Sequence, residues 1–402
     1  MRTHHKITAA ALPLTGLLLL AACGSSSSSS SASSATTAAS GGATTTAAAA
    51  GGTGSLKGVC PDQIVLQTDW NPEAEHGHLY QMIRKGYTAN ADKKSVVAPL
   101  LDSKGNDTGV TFEVRSGGPA IGFQTVSAQM YTDDKITLGY VYTDEAVQFS
   151  KDQPVVGVFA PFDINPQMIM WDPASYPDVT SIADLGKKNV TVQYFGGGAY
   201  MEDYLIPTGV LKKEQTDGGY DGTPAKFVAS GGKLAQQGFA SAEPFIYKNE
   251  VKEWGKDVKF QLIHDTGYPI YAESVSVRAA DKAKLTPCLK LLVPIMQQAA
   301  VDYLKDPAET NKMIIDLVGK YNNGWVYTQG VADFAVGQMK KLGLMGNGTD
   351  KTLGNYEEAR IQKVIDIVVP ALKTQGKATK DGLKPADLIT NEFVDTSIGL
   401  PA

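Results

Sequence analysis

Cysteine and histidine are the scarce residues of this chain, three and five respectively in 402, and their scarcity removes several chemistries at once. A structural zinc site wants four Cys or His ligands at short, regular spacings. Past the N-terminal segment that carries His4 and His5, the one close pair, His76 and His78, has no such partners around it in sequence, so no metal and no cofactor is expected. The glycine runs Gly117-Gly118 and Gly196-Gly197-Gly198 match neither the dinucleotide fingerprint nor the phosphate loop, which needs a Lys-Ser/Thr pair after its last glycine. A Gly-x-Ser-x-Gly nucleophile elbow is also missing, and the expectation is a protein that is not an enzyme. A basic surplus is lacking too: the formal charge is -5, which argues against nucleic acid as a partner.

Long apolar runs are absent except at the N-terminus, where Arg2 and Lys6 precede the stretch from Ala9 to Ala22. Interrupted by Pro13, Thr15 and Gly16, this run reads as a signal peptide over residues 1–22 rather than a span of about 20 residues. It ends in Leu20-Ala21-Ala22-Cys23-Gly24, which resembles the bacterial lipobox. That resemblance implies lipidation of Cys23 and anchoring on the extracytoplasmic face of the cell membrane. Residues 23–58 then run through Ser, Ala, Thr and Gly with no charge before Lys57. Such a segment cannot bury a core and is expected to be a disordered tether. Loss of Arg2 and Lys6 with the signal would take the charge from -5 to about -7.

The remainder exceeds the size at which single cores split, and two lobes are expected. Cys60 and Cys288 are the two cysteines left once Cys23 is set aside. An even pair outside the cytoplasm is a candidate disulfide; two unpaired buried thiols remain the alternative. Short apolar runs at 63–68, 110–114, 136–141 and 155–160 read as strands, with a helix over about 75–85 stopped by Gly86. Strand, helix, strand implies a parallel sheet.

A second α/β series follows, with strands at 168–171, 190–194, 226–228, 244–247 and 260–263 and helices at 181–185 and 200–206. Beyond Ser274 the periodicity is almost wholly helical, including a helix begun by a capping box at Asp306-Pro307-Ala308-Glu309 and two later ones near 331–342 and 358–372. Lobe I is thus expected over 59–162 plus 274–402 and lobe II over 163–273. Two crossing segments, near 162–169 and 266–276, would form a hinge. Ligands of open α/β sheets sit at the carboxyl ends of strands, so the cleft between the lobes is the expected binding place.

The string Leu66-Gln67-Thr68-Asp69-Trp70-Asn71-Pro72-Glu73-Ala74-Glu75-His76-Gly77-His78-Leu79-Tyr80 directly follows the first strand. It resembles the signature of the solute-binding proteins related to the thiamine-pyrimidine-precursor and nitrate/sulfonate/taurine family. Ser116-Gly117-Gly118-Pro119, Asp184-Leu185-Gly186-Lys187-Lys188 and Ser241-Ala242-Glu243-Pro244 extend the resemblance over most of residues 60–310. It implies a two-lobed periplasmic-binding-protein fold of type II, each lobe a mixed, mostly parallel sheet flanked by helices. It also implies a monomer that delivers a small solute to an ABC permease and its ATPase. Fungal pyrimidine synthases share the fold but carry a cysteine-rich iron motif that Cys60 and Cys288 cannot supply.

The residues make chemical sense by themselves. Trp70, at a strand's carboxyl end, can present its ring for a flat heteroaromatic to stack on, or can sit in the core below the cleft. Glu75 and His76 can hydrogen-bond ring nitrogens or amines, or Glu75 can serve only the helix N-terminus. Gly117, Gly118, Gly197 and Gly198 can offer backbone N–H groups, or form plain turns. By the resemblance, Glu243 faces Trp70 from the second lobe and contacts the solute ring, and Tyr271 is a further candidate with Tyr194 and Tyr200. A nitrate, sulfonate or taurine would want cationic donors, and Arg115 is the only arginine beside these motifs. The expected solute is therefore heteroaromatic, pyrimidine- or vitamin-like. The alternatives are an oxyanion binder, an exported enzyme of the same fold, or a binder that feeds a sensor.

Overall fold

The computed structural model describes residues 54–196 and 198–401; the signal segment, most of the tether, Cys23 and Gly197 lie outside the described residues. Six strands open the chain: β1 (Gln63–Gln67), β2 (Thr88–Asn90), β3 (Ser95–Leu101), β4 (Asp107–Arg115), β5 (Leu138–Val141) and β6 (Val155–Phe159). Five more follow: β7 (Gln167–Trp171), β8 (Val192–Gln193), β9 (Thr216–Asp217), β10 (Ala235–Phe239) and β11 (Lys259–Leu262). Then comes β12 (Ser274–Arg278), after which the chain is helical.

One sheet has the order β2-β3-β4-β1-β5-β12-β6 and the other β11-β7-β10-β8-β9. β1 pairs parallel with β4 and β5 and is buried from Ile64 onward. An unbroken apolar run such as Ile64-Val65-Leu66 is what a strand covered on both faces requires. The sheets are mixed rather than parallel throughout. β2, β3 and β4 form antiparallel hairpins, β12 runs antiparallel to β5 and β6, and β7 runs antiparallel to β10 and β11.

Several local expectations are corrected. The helix expected over 75–85 is a 3-10 turn, Ala74–His76, followed by a short helix, Gly77–Gln81. It stops well before Gly86 because the Met82 and Ile83 N–H groups turn back to the Leu79 and Tyr80 carbonyls at 3.3 and 3.1 Å, a tight i→i+3 ending. Residues 226–228 and 244–247, expected as strands, lie in helices Ala225–Ala229 and Glu243–Asn249; Pro244 in the first turn is a helix-start signal. The hairpin β2–β3 and the strands β10 and β12 were not legible. In β10 the reason is composition, since Ala-Gln-Gln-Gly-Phe shows no apolar alternation; Gln236 is buried but donates to Tyr247 Oη at 2.7 Å. The capping box at 306–309 does not form: helix Ala308–Tyr321 begins behind Pro307 with no side-chain cap.

Helix Lys282–Lys305 packs against Gly77–Gln81 so closely that a Cβ on Gly77 would lie 2.1 Å from the Tyr303 ring. A disulfide joins Cys60, just before β1, to Cys288 on that long helix. No described helix is long and apolar enough to cross a membrane.

Two segments, 160–166 and 263–273, carry the chain from one sheet to the other and back. Arg360, on the helix Glu358–Thr374, holds both of them. Its guanidinium donates to the Asp163 carboxylate at 2.8 Å and to the Asp163 carbonyl, and also to the carbonyls of Pro269 at 2.6 Å and Ile270 at 3.1 Å. It also stacks 3.7 Å over the Tyr271 ring. A planar fork with five donors suits this cluster and an ammonium does not. Arg360→Ala is expected to cost about 2 kcal/mol, a fall in Tm of about 4 °C by calorimetry, with Arg360→Lys recovering little of it.

Candidate functional site

The carboxyl ends of parallel strands converge between the sheets. From β1 come Asp69 and Trp70, after β4 comes Gly118, after β8 come Phe195, Gly196 and Gly198, and after β10 come Ala242 and Glu243. They enclose a cavity of about 400 Å³, which Phe123, Tyr142, Tyr200, Tyr220, Gln237 and Trp325 complete. A larger groove of about 540 Å³ lies between β6 and the C-terminal segment, lined by surface groups such as Lys151, Lys380 and Asp387. It has no aromatic ring and is away from the strand ends, so the interlobe cavity is the better candidate.

Trp70 is the hub of an aromatic wall. Its ring centroid lies 5.6 Å from Phe195, 6.0 Å from Phe123 and 6.0 Å from Trp325, and Phe195 continues the wall to Tyr220 at 4.8 Å. Gly118 has φ +54°, and a Cβ there would lie 2.5 Å from the indole. Glycine is therefore required both by the backbone and by the ring. Gly117 does not line the cavity; a Cβ there would meet the Thr68 carbonyl at 2.2 Å, so its role is close backbone approach.

The acids divide by position. Glu75 is buried at the cavity wall and accepts a hydrogen bond from Ser241, a contact between the two lobes. Burial raises its carboxyl above the usual range, and the Ser241 bond partly offsets this. Glu243 opens its helix and accepts from the Phe239 N–H at 2.6 Å. Burial pushes it up to about 7; the Phe239 N–H opposes the shift and the nearby Glu75 charge adds to it. Glu73, also at the wall, is held well above the carboxylate range by burial and then by the charges of Glu75, Glu273 and Asp69. No Lys or Arg lines the cavity among the described residues. Arg115 pairs instead with Glu113 at 2.9 Å and Asp133 at 2.7 Å.

Of the residues singled out from sequence, Trp70, Glu75, Gly118, Gly198 and Glu243 share this cavity. His76 is fully buried behind it, with Nε2 3.1 Å from Asp69 Oδ1. Tyr271 is not in the cavity; it accepts from the Glu357 N–H at 2.9 Å and lies under Arg360, so it belongs to the crossing segments. Phe123, Phe195, Tyr220 and Trp325 were missed. Each adjoins a glycine, as in Gly122-Phe123, Phe195-Gly196, Gly219-Tyr220 and Gly324-Trp325, and an aromatic beside glycine in a loop is the signal that marks them. Trp325 comes from a loop far along the chain, held by its Nε1 donating to the Pro72 carbonyl at 3.3 Å and by Asn323 donating to Asn71 at 2.7 Å.

The alkanesulfonate-binding protein SsuA from Xanthomonas axonopodis pv. citri, bound to MOPS, superposes with a TM-score of 0.51 at 10% identity, covering 82% of this chain and 99% of that one. The fold is that of the periplasmic binding proteins. The periplasmic aliphatic sulphonate binding protein SsuA from Escherichia coli matches over 85% of this chain and 95% of its own, with a TM-score of 0.49 at 12% identity. At such identities the likeness establishes the periplasmic-binding-protein fold alone, and that is the fold the resemblance in sequence implied. No family model matches the chain. No curated protein matches it either.

Proposed function

We propose that this chain is an extracytoplasmic, lipid-anchored solute-binding protein of an ABC importer, and that its cavity takes a small, amine-bearing heteroaromatic solute. The observation that carries the reading is the lining itself. Eight aromatic residues, Trp70, Phe123, Phe195, Tyr220 and Trp325 among them, stand with the carboxylates of Asp69, Glu73, Glu75 and Glu243 around one cavity that has no lining cation among the described residues. Rings of this kind stack on flat π-systems and attract cations. Buried carboxylates gain from a donor that brings positive charge. An alkanesulfonate, the ligand class of the first structural neighbour, finds no cationic side chain here.

A thermal-shift screen of the purified protein tests this, with amine-bearing pyrimidines and vitamins set against sulfonates, nitrate and other oxyanions. The expected result is a Tm rise only with the first group, since a ligand at 100 times its Kd adds about 2.7 kcal/mol. A rise with an oxyanion alone refutes the solute class.

The raised Glu243 carboxyl gives a pH signature. Titrating at about 7 in the free protein, it must ionise to pair with a cationic solute, so affinity rises with pH and levels off above 7. Between pH 8 and pH 6 the ionised fraction, and with it affinity for a solute of constant charge, falls roughly tenfold. Glu73, Glu75, Tyr220 and Tyr247 are titratable groups facing Glu243. Isothermal titration across that range, repeated on Glu243→Gln, should show the slope in the first protein and a flat profile in the second.

Anchoring rests on Cys23. Cys23→Ala should release the protein from membranes into the soluble fraction, because a polar tether gives no membrane affinity without acyl chains. Immunoblotting of membrane and soluble fractions reads the result directly.

A further inference from the structure

Behind Trp70 lies a cluster that the solute reading does not use. His76 Nε2 sits 3.1 Å from Asp69 Oδ1, 3.8 Å from Glu73 Oε1 and 4.0 Å from Glu273 Oε2. The ligand atoms of Asp69, His76 and Glu273 all fall within 4.8 Å of one another. His76 and Glu273 are 0% exposed, and neither Glu273 oxygen takes a hydrogen bond. Among the described residues no Lys or Arg pairs with these carboxylates. A buried carboxylate with neither donor nor cation is strongly disfavoured, and this one is turned toward an imidazole nitrogen.

The distances fit one occupant. An ion held at about 2.0–2.2 Å by nitrogen and carboxylate oxygen places adjacent ligand atoms roughly 3.0–3.5 Å apart. The Nε2-centred distances of 3.1, 3.8 and 4.0 Å, and the spread of up to 4.8 Å among the ligand atoms of Asp69, His76 and Glu273, reach that when the carboxylates swing inward onto the ion. We propose that Asp69, His76 and Glu273, with Glu73 as a fourth donor, bind a divalent transition-metal ion. One imidazole with carboxylates suits Zn²⁺, Fe²⁺ or Mn²⁺ rather than an all-oxygen Ca²⁺ or Mg²⁺ cage. Asp69 and Glu73 also line the cavity, which gives the ion a route in. Glu273 ends the second crossing segment, immediately before β12, and Asp69 follows β1. The bound ion therefore ties the hinge to the floor of the solute cavity.

The test uses protein stripped with EDTA, returned to chelator-free buffer and titrated calorimetrically with ZnCl₂ and, in parallel, MnCl₂. The expected result is one ion per chain, with binding at least tenfold weaker in Glu273→Gln and in His76→Ala and unchanged in His264→Ala. No saturable binding of either ion to the unaltered protein overturns the proposal, as does binding that survives unchanged in both ligand variants. Should either variant lose its fold by circular dichroism, ¹⁵N-histidine NMR of the unaltered protein decides. Stoichiometric Zn²⁺ must move the Nε2 resonance of His76, and a shift confined to His78 or His264, or no shift, refutes the site. Solute binding is read separately in EDTA, so each reading can fail without the other.

Discussion

Trp70→Ala is expected to lower solute affinity on the order of 50-fold while leaving the fold intact. The indole offers a face to the cavity, and stacking on it contributes about 0.5–1.5 kcal/mol beyond the apolar area removed from water. One ring face of roughly 60 Å² adds about 1.5 kcal/mol at the usual coefficient. Together these approach 2.5 kcal/mol, and each 1.4 kcal/mol is a factor of ten in Kd. The ring is also held before the solute arrives. Gly118 lies beneath it where no side chain fits, and Phe123, Phe195 and Trp325 surround it, so little ordering cost falls on binding. Trp70 is half-buried at the cavity rim, which is why its loss should spare the scaffold. Calorimetric titration beside a melting curve checks both halves of the statement. Unchanged affinity, or a collapse of the solute-free fold, would return Trp70 to the core.

Removing the Cys60–Cys288 bridge is the change with the largest expected cost to stability. The two residues are 228 positions apart, and closing a loop of that length restricts the unfolded chain by about 5 kcal/mol in the chain-entropy model. The bridge fastens the start of β1 to the long helix that follows β12, so it spans the insertion that forms the second sheet. Both sulfurs are buried, and a Cys60→Ala/Cys288→Ala pair leaves a small cavity as well. Denaturant melts of the double variant should show a lower midpoint with little change in solute affinity above it. Thiol titration of the unreduced, denatured protein should find neither cysteine free.

Sequence resolved the secondary structure unevenly. Strands with continuous apolar runs, such as 155–160, were placed within a residue or two of β6, because burial on both faces leaves an unmistakable pattern. β10 is not legible because its buried Gln236 and Gln237 draw stability from partners contributed by other elements, the Tyr247 hydroxyl and the Phe195 N–H. The segment at 244–247 was misread because its aromatic and apolar residues suggest a strand, whereas the proline at the first turn of helix Glu243–Asn249 sets the backbone.

The chain's own order of residues sufficed for the two-sheet α/β architecture, for the carboxyl end of β1 as the place where Trp70 and Glu75 meet the cavity, and for the scarcity of cationic groups near it. These follow from local periodicity and composition, which act over a few residues at a time. What tertiary structure alone decided is the company those residues keep. Trp325 reaches Trp70 across 255 positions of chain, Glu273 comes within 4.0 Å of His76, and Tyr271 is drawn to Arg360 rather than to the cavity. Such contacts arise where separate elements pack against one another, and no short-range pattern encodes them.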